Sequence, residues 1–427
     1  MKSRRLVFAS IIILVLMLVN DRDPVGITRT SAEVVPSSAL AADRGCTSFC
    51  LDNAGHGVFG ANLDENFSEG YLYVNQRHVS KTGWEPNAAG EYARWTSRYG
   101  SLTFNLVGYQ MPWAGMNEAG LMISTMWLPG TQTPEADERP PLRSTLWLQY
   151  QLDNYSSVEE VIASESLVRI APGARDHYLV CDASGNCATI EFLEGKMVHH
   201  AGETLPVAAL ANHGYAESVQ AWQTGQLPDS YYNSLRRFGT AADRVMSFEA
   251  MSSEGAVGYA FETLSQVRNP DLTAWSLVFD AQNLRAYFRT VRNEEIRYVD
   301  LSKLDFSCGR PVPMLNIHEE LSGDVSDDFA PYSHELSLTH LKKALPNFGI
   351  FIPEDWVEKL LEQLENYPCV QEEEEIAREA PLVQGEEGIT QEAPQSFFFM
   401  GWLVAAALLA IVLLLILYGI RRKVKHS

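Results

Sequence analysis

Several kinds of chemistry are missing from this chain of 427 residues. Basic charge is scarce: 33 Lys and Arg against 54 Asp and Glu leave a formal net charge of −21. A protein that grips a phosphate backbone carries a basic stripe, and none is visible, so no nucleic-acid partner is expected. There is no zinc-protease helix motif, no glycine-rich phosphate loop and no Gly-x-Ser-x-Gly elbow. The only adjacent histidine pair, His199–His200, falls in a strand-like stretch where neighbours point to opposite faces. It is a poor metal site, and neither metal nor cofactor is expected. Internal repeats are absent. Cysteines number six, in a chain whose ends read as exported.

What is present is a large apolar fraction, 46% with 10% aromatic, enough for a substantial core. Both ends of the chain address a membrane. Lys2, Arg4 and Arg5 precede the apolar run Leu6–Val19, which is short for a spanning helix and reads as a secretory signal. Ala39-Leu40-Ala41 fits a cleavage pattern but lies well past that run, so an uncleaved signal anchor stays open. Near the other end, the uncharged run Phe397–Ile420 is followed at once by Arg421-Arg422-Lys423. This is a single-span signal with the basic tail inside. The expected location is the cell membrane, single-pass, with the bulk of the chain extracytoplasmic and the C-terminus cytoplasmic.

The expected organisation has six parts: a signal or propeptide over 1–45, a catalytic domain over 46–310, a helical appendage over 311–367, an acidic stalk over 368–395, a transmembrane helix over 396–420 and a basic tail over 421–427. In the appendage, Pro353-Glu354-Asp355 opens a helix with Trp356, Leu360 and Leu364 on one face. The stalk holds Glu372–Glu375 and further acids, and reads as a solvated spacer. Three hairpins are predicted from turn clusters at Asp52–Gly55, Asp182–Asn186 and Asp280–Asn283. Ser157-Val158-Glu159-Glu160 is a capping box. Strand pairs interleaved with helices indicate an α+β or layered sandwich rather than a doubly wound sheet. Cys181 and Cys187 face each other across the second hairpin, and Cys308 and Cys369 bracket the appendage. Either two disulfides or buried free thiols satisfy that spacing. Cys50 shares a strand face with Cys46 and is a second thiol near the site or a core filler.

The residue with most chemical content is Cys46, in Gly45-Cys46-Thr47-Ser48-Phe49-Cys50. Behind a removable leader it becomes the first residue. An N-terminal Cys carries its own base, because an α-amine with a pKa near ~7.7–8.0 lies one side chain from the thiol. Such a nucleophile needs no histidine. His213, next to Asn212, is either a pocket-lining or a structural histidine.

Cys46-Thr47-Ser48, the Gly55-His56 turn and Gly60-Ala61-Asn62-Leu63-Asp64 together resemble the opening of the choloylglycine hydrolase and acid ceramidase superfamily. Met116–Leu121, the Asp182–Asn186 hairpin ending in Ile190-Glu191-Phe192, Ala211-Asn212 and Ser234–Phe238 are similar to later segments of that family, in the same order. The resemblance covers residues 46–306. It implies a four-layer αββα sandwich and a cysteine N-terminal-nucleophile (Ntn) hydrolase that cleaves linear amide C–N bonds through a thioester. Carried onto this sequence, Cys46 is nucleophile and Asp64 holds the amine and thiol. Asn212 and the backbone N–H near Trp127 donate to the oxyanion, and Arg237 supplies positive charge. The partner is a small-molecule N-acyl amide. One position departs: the family has arginine before Asn-Leu-Asp, and this chain has Ala61, so Arg236, Arg237 or another cation takes its place or activity differs.

A membrane-tethered binding module on the same fold is the rival reading, with Trp95, Trp113, Trp127, Trp147, Trp222 and Trp275 as surface. An acyltransferase is the third. Bile-salt conjugates, penicillin-type amides, N-acyl ethanolamines and N-acyl lactones all suit the superfamily.

Overall fold

Turn chemistry builds the first hairpin. Asp52 Oδ1 accepts the Gly55 N–H at 2.7 Å, and Ala54 and Gly55 take φ of 57° and 83°. Consecutive left-handed residues match the twist of flanking strands. They join β1 (Thr47–Asp52) and β2 (Gly57–Asp64), which pair antiparallel from Thr47↔Asn62 to Asp52↔Gly57. The second hairpin, β7 (Asp176–Cys181) and β8 (Cys187–Leu193), turns where Asp182 Oδ1 accepts the Ser184 N–H at 2.9 Å. The third, β11 (Thr273–Asp280) and β12 (Arg285–Thr290), turns where Asp280 Oδ1 accepts the Gln282 N–H at 3.1 Å. Each expected turn is thus closed by an Asp side chain on its own backbone.

The computed structural model describes residues 45–348, 350 and 353–370. Two sheets form. The first has seven strands in the order β10 (Ala209–Leu210), β1, β2, β11, β12, β13 (Arg297–Asp300), β15 (Gly323–Asp324). The second has nine. It runs β9 (Lys196–Ala201), β8, β7, β6 (Met122–Trp127), β5 (Met111–Asn117), β4 (Ser101–Gly108), β3 (Tyr71–Asn75), β14 (Pro313–Asn316), β16 (Ala330–Pro331).

The sheets share a core: Phe104 of β4 lies 5.8 Å from Phe279 and 5.5 Å from Phe288 of the first sheet, ring to ring. Ser48 of β1 and Ser124 of β6 meet hydroxyl to hydroxyl at 2.8 Å. Helices cover the outer faces. On the second sheet lie α1 (Ser144–Asn154), packed on β5 and β6, and α2 (Val158–Ala163), which begins in the expected Ser157–Glu160 capping box. After α3 (Tyr215–Gln223) come α4 (Ser234–Met246) and α5 (Ser253–Gln266), which pack on β1, β2 and β11 of the first sheet. The layering is helix, sheet, sheet, helix.

Beyond residue 311, β14 extends the second sheet, and α6 (His334–Asn347) and α7 (Glu354–Glu365) cover Tyr73, Tyr109 and Met314. All described residues fall in one unit, Met1–Glu375; the second, Ile376–Ser427, lies outside them. The expected leader (residues 1–44 of it), most of the stalk, the transmembrane helix at 396–420 and the tail also lie outside the described residues. No helix among the described residues is long and apolar enough to cross a membrane.

Cys181–Cys187 and Cys308–Cys369 are disulfides, and Cys46 and Cys50 are free and buried. The Cys50 sulfur lies within 4.8 Å of those of Cys181 and Cys187. With two of the three bonded to each other, the cluster is core packing rather than a metal site. Burial pushes the Cys50 thiol well above its ordinary pKa.

The Cys308–Cys369 bond closes a separation of 61 residues. Beside it Ser80, the first residue of a short strand, Ser80–Pro86, donates its N–H to the Pro368 carbonyl at 2.8 Å. Replacing both cysteines by Ser is expected to cost about 2–4 kcal/mol of stability through the enlarged unfolded ensemble. Urea unfolding of the two forms checks this, and equal midpoints would refute it.

Candidate active site

Cys46 immediately precedes β1, so the pairing of β1 with β2 fixes its place. Alternation puts Cys46 and Cys50 on the face of Ser48, toward the second sheet. Thr47 points the other way, toward α4, as do its cross-strand partner Asn62 and, two residues on, Asp64. The site forms where the two faces meet at the end of the strands. Thr273 stands opposite Asp64 beside a bulge in the β2–β11 ladder. Its hydroxyl donates to Asp64 Oδ1 at 2.6 Å.

Arg237 enters from the first turn of α4. That helix starts at Asn233, whose side chain accepts the Leu235 N–H at 2.9 Å, and its inner face carries Arg237, Phe238, Ala241 and Ala242. The guanidinium is fully buried. Nε donates to Thr47 Oγ1 at 3.1 Å, Nη1 to the carbonyls of Tyr231 and Tyr232 at 2.9 Å each, and Nη2 to Asn212 Oδ1 at 3.1 Å. Nε also lies 3.7 Å from Asp64 Oδ2. Asn212 Nδ2 donates to the Trp127 carbonyl at 2.8 Å. Asp64, Arg237, Asn212 and Trp127 are therefore one linked set at the end of β1. Arg236 stays outside it, its guanidinium 5.3 Å from the Tyr231 ring centre. Ala61 is buried opposite Ser48, on the inter-sheet side.

The electrostatics are those of a closed site. Burial, then the Asp64 charge, pushes the Cys46 thiol up to about 12, against a hydrogen bond from the Asp64 backbone and the Arg237 charge. Burial raises the Asp64 carboxyl to about 7, opposed by Arg237 and the Thr273 hydroxyl. Burial also lowers the Arg237 pKa, since desolvation disfavours either charge. Asp64 Oδ2 is buried with no hydrogen-bond partner. Gly45 packs directly on this set: a Cβ there would overlap Arg237 Nη2 and come within 2.6 Å of Asn212 Oδ1.

A cavity of about 770 Å³ opens beside Asn212 and Trp127, with Leu128, Leu193 and Val198 as apolar wall and Glu191 in its lining. His213 also lines it, its Nδ1 bonded to Ser234 Oγ. Of the tryptophans, Trp95, Trp113, Trp147 and Trp275 are core residues, which leaves little of the aromatic surface a binding module would need. The sequence did not point to Thr273, to the Tyr231 and Tyr232 carbonyls or to Glu191. Thr273 was findable only with the β2–β11 register in hand.

The family model for linear amide C–N hydrolases, choloylglycine hydrolase family, matches residues 46–243. Over that region the chain is similar to the choloylglycine hydrolase family. Among curated relatives, the chain is similar to a penicillin V acylase of Pectobacterium atrosepticum, 26% identical, covering 62% of this chain and 84% of that one. Among solved structures it is similar to penicillin V acylase from Agrobacterium tumefaciens, with a TM-score of 0.59 and 25% identity over 67% of this chain and 98% of the other. A mutant conjugated bile acid hydrolase from Clostridium perfringens superposes with a TM-score of 0.52 at 17% identity, covering 65% and 98%. The fold is the Ntn-hydrolase fold that this family shares.

Asp64 gives the site a pH signature. Its folded-state pKa of about 7 lies above the ordinary 3.8, so its contribution to stability is full below 3.8 and is lost as pH rises through 7. In the chain that still carries Gly45, Asp64→Asn is expected to remove this fall. Denaturation midpoints of both chains across pH 4 to 8 read it; parallel curves would refute the raised carboxyl.

Proposed function

We propose that this chain is a hydrolase of linear amide C–N bonds in N-acyl compounds, working through Cys46 as an N-terminal nucleophile. The observation that carries the reading is the pair formed by Gly45 and Asp64. Asp64 Oδ2 is a buried carboxylate oxygen without a donor, and its charge reaches Cys46. Cleavage before Cys46 creates a free α-amine there, whose N–H is the donor this oxygen lacks and whose lone pair is free to act as base. Gly45, meanwhile, leaves no room for a Cβ unless Arg237 and Asn212 shift.

The chemistry follows from these positions. Before cleavage Cys46 bears an amide nitrogen, which is no base, and its thiol is held near 12. Afterwards the α-amine takes the thiol proton as sulfur bonds to the substrate carbonyl carbon and the carbonyl π pair moves onto oxygen. Asn212 has a second N–H beyond the one bound to Trp127, and that N–H donates to the oxyanion. In extended backbone the N–H of Trp127 leaves the strand on the same side as its carbonyl, which faces Asn212, and supplies the other donor. Collapse breaks the C–N bond, the amine leaves with the proton from the α-ammonium, and a thioester remains. Water, giving a proton to the α-amine, then adds to the thioester carbonyl, and collapse expels the Cys46 sulfur, which takes the proton back from the α-ammonium as the acid is freed. Arg237 aligns Asn212 and favours the thiolate.

The named activities of the relatives supply the first probes, penicillin V and a conjugated bile acid, within a panel of N-acyl amides. Wild type is expected to show an intact mass that begins at Cys46 and to accumulate an acyl adduct on rapid quench. Cys46→Ala should be folded and inactive, and Gly45→Ala should keep its leader. Turnover by Cys46→Ala would overturn the mechanism, as would active wild type in which the Gly45–Cys46 bond is intact.

We also propose that the enzyme is anchored by the span at 396–420 with its catalytic domain extracytoplasmic. Support comes from the leader, the apolar run and the basic tail of the sequence. Protease added to intact cells should remove the catalytic domain and spare the tail. Survival of the domain until lysis would invert the orientation.

A further inference from the structure

Glu191 and His177 are buried together beneath the cavity. Glu191 is 1% exposed and His177 is wholly buried. Their strands, β8 and β7, are neighbours, and His177 Nδ1 lies 3.1 Å from Glu191 Oε1. The same oxygen accepts the Tyr215 N–H at 2.9 Å. Tyr215 is the first residue of α3, and its N-cap, Gly214, has no side chain to cap the helix. A carboxylate from the second sheet thus caps a helix that follows a strand of the first. An anion at that position satisfies an orphan donor and meets the positive end of the helix.

What this cap holds is the segment carrying Asn212. On one side, β10 pairs with the nucleophile strand at Ser48↔Leu210 and Phe49↔Ala209. On the other, Tyr215 is fixed twice, by Glu191 at its N–H and by its own hydroxyl, which donates to the Val207 carbonyl at 2.8 Å. Asn212 lies between these two anchors. On the other side of the same site, β7 places His177 next to Asp176, the cross-strand partner of Trp127.

We propose that Glu191, seated by His177, is a positioning residue that sets the Asn212 amide for the oxyanion. The proposal rests on the reading of Asn212 given above. Nothing in it requires Glu191 to touch substrate. It acts by shortening the free chain around Asn212, and a donor displaced by a fraction of an ångström loses much of its transition-state contact.

A double-mutant cycle tests it, using whichever N-acyl amide of the panel turns over fastest. Asn212→Ala should lower kcat by about 10²–10³. Glu191→Leu should lower kcat about tenfold or more with KM changed less than threefold. Glu191→Gln, which keeps an acceptor for Tyr215, should recover most of that loss, and His177→Phe should move kcat the same way by less. The pair Glu191→Leu with Asn212→Ala should lose no more than Asn212→Ala alone. Thermal melts confirm that each variant is folded, and if Glu191→Leu is not, Glu191→Gln and His177→Phe carry the comparison.

A rise in KM alone would make Glu191 a substrate contact and overturn the proposal. Losses that multiply in the double variant, or an unchanged kcat in folded Glu191→Leu, would overturn it equally. If Asn212→Ala alone leaves kcat intact, the oxyanion reading fails first and the proposal falls with it. That arm contains no change at Glu191, so the two failures are told apart.

Discussion

The site depends on the burial of one guanidinium. Arg237 is wholly enclosed, and an enclosed cation is tolerated only when its N–H groups find acceptors. Here Nε, Nη1 and Nη2 reach Thr47, Tyr231, Tyr232 and Asn212, with Asp64 as counter-charge. Those acceptors come from the nucleophile strand, from the approach to α4, from the segment after β10 and from the end of β2. Arg237 therefore orders four separate pieces of chain around the residue that follows Gly45. A lysine would offer a point charge and no planar fork, and would leave several of these acceptors unpaired.

The same enclosure keeps the Cys46 thiol protonated. With Gly45 packed on Arg237 and Asn212, burial holds the thiol protonated and the Asp64 carboxyl half-titrated near neutral pH. Desolvation outweighs the attraction between Asp64 and Arg237, so each departs from its ordinary pKa in the direction of its neutral form. In the proposed maturation, cleavage before Cys46 would change both conditions, because a new α-amine would stand beside an orphan carboxylate oxygen and the space filled by Gly45 would open. Under that proposal maturation and activation are one electrostatic event.

The sequence disclosed what is local. Asp52, Asp182 and Asp280 lead turns whose side chains bond their own backbone within a few residues, so all three hairpins were readable. The Ser157–Glu160 box was readable for the same reason. Cys46 stood out through its place behind a leader. Asp64, Asn212 and Arg237 became candidates only through family resemblance, because residues 148 and 173 positions apart share no local signal. Thr273 and Glu191 escaped altogether. Thr273 meets Asp64 only through a bulged register, and Glu191 is one of several strand carboxylates until β8 is set against the start of α3.

Ala61 draws these strands together. The family's arginine at this place would project from β2 on the face of Ser48, between the sheets. Arg237 comes from α4 on the opposite face and bonds Thr47. It thus compensates for charge without replacing the missing side chain in space. The Ser48–Ser124 contact links the sheets on the face Ala61 shares, and Ala61 itself is closed into the core. The thiol on this side meets apolar packing, so in the proposed mechanism its activation would rest on the α-amine and on Arg237 acting across the strand. A substrate group that would have paired with an arginine at 61 has no such anchor here. Under the proposed function, recognition would rest on the apolar cavity walls at Trp127, Leu128, Leu193 and Val198.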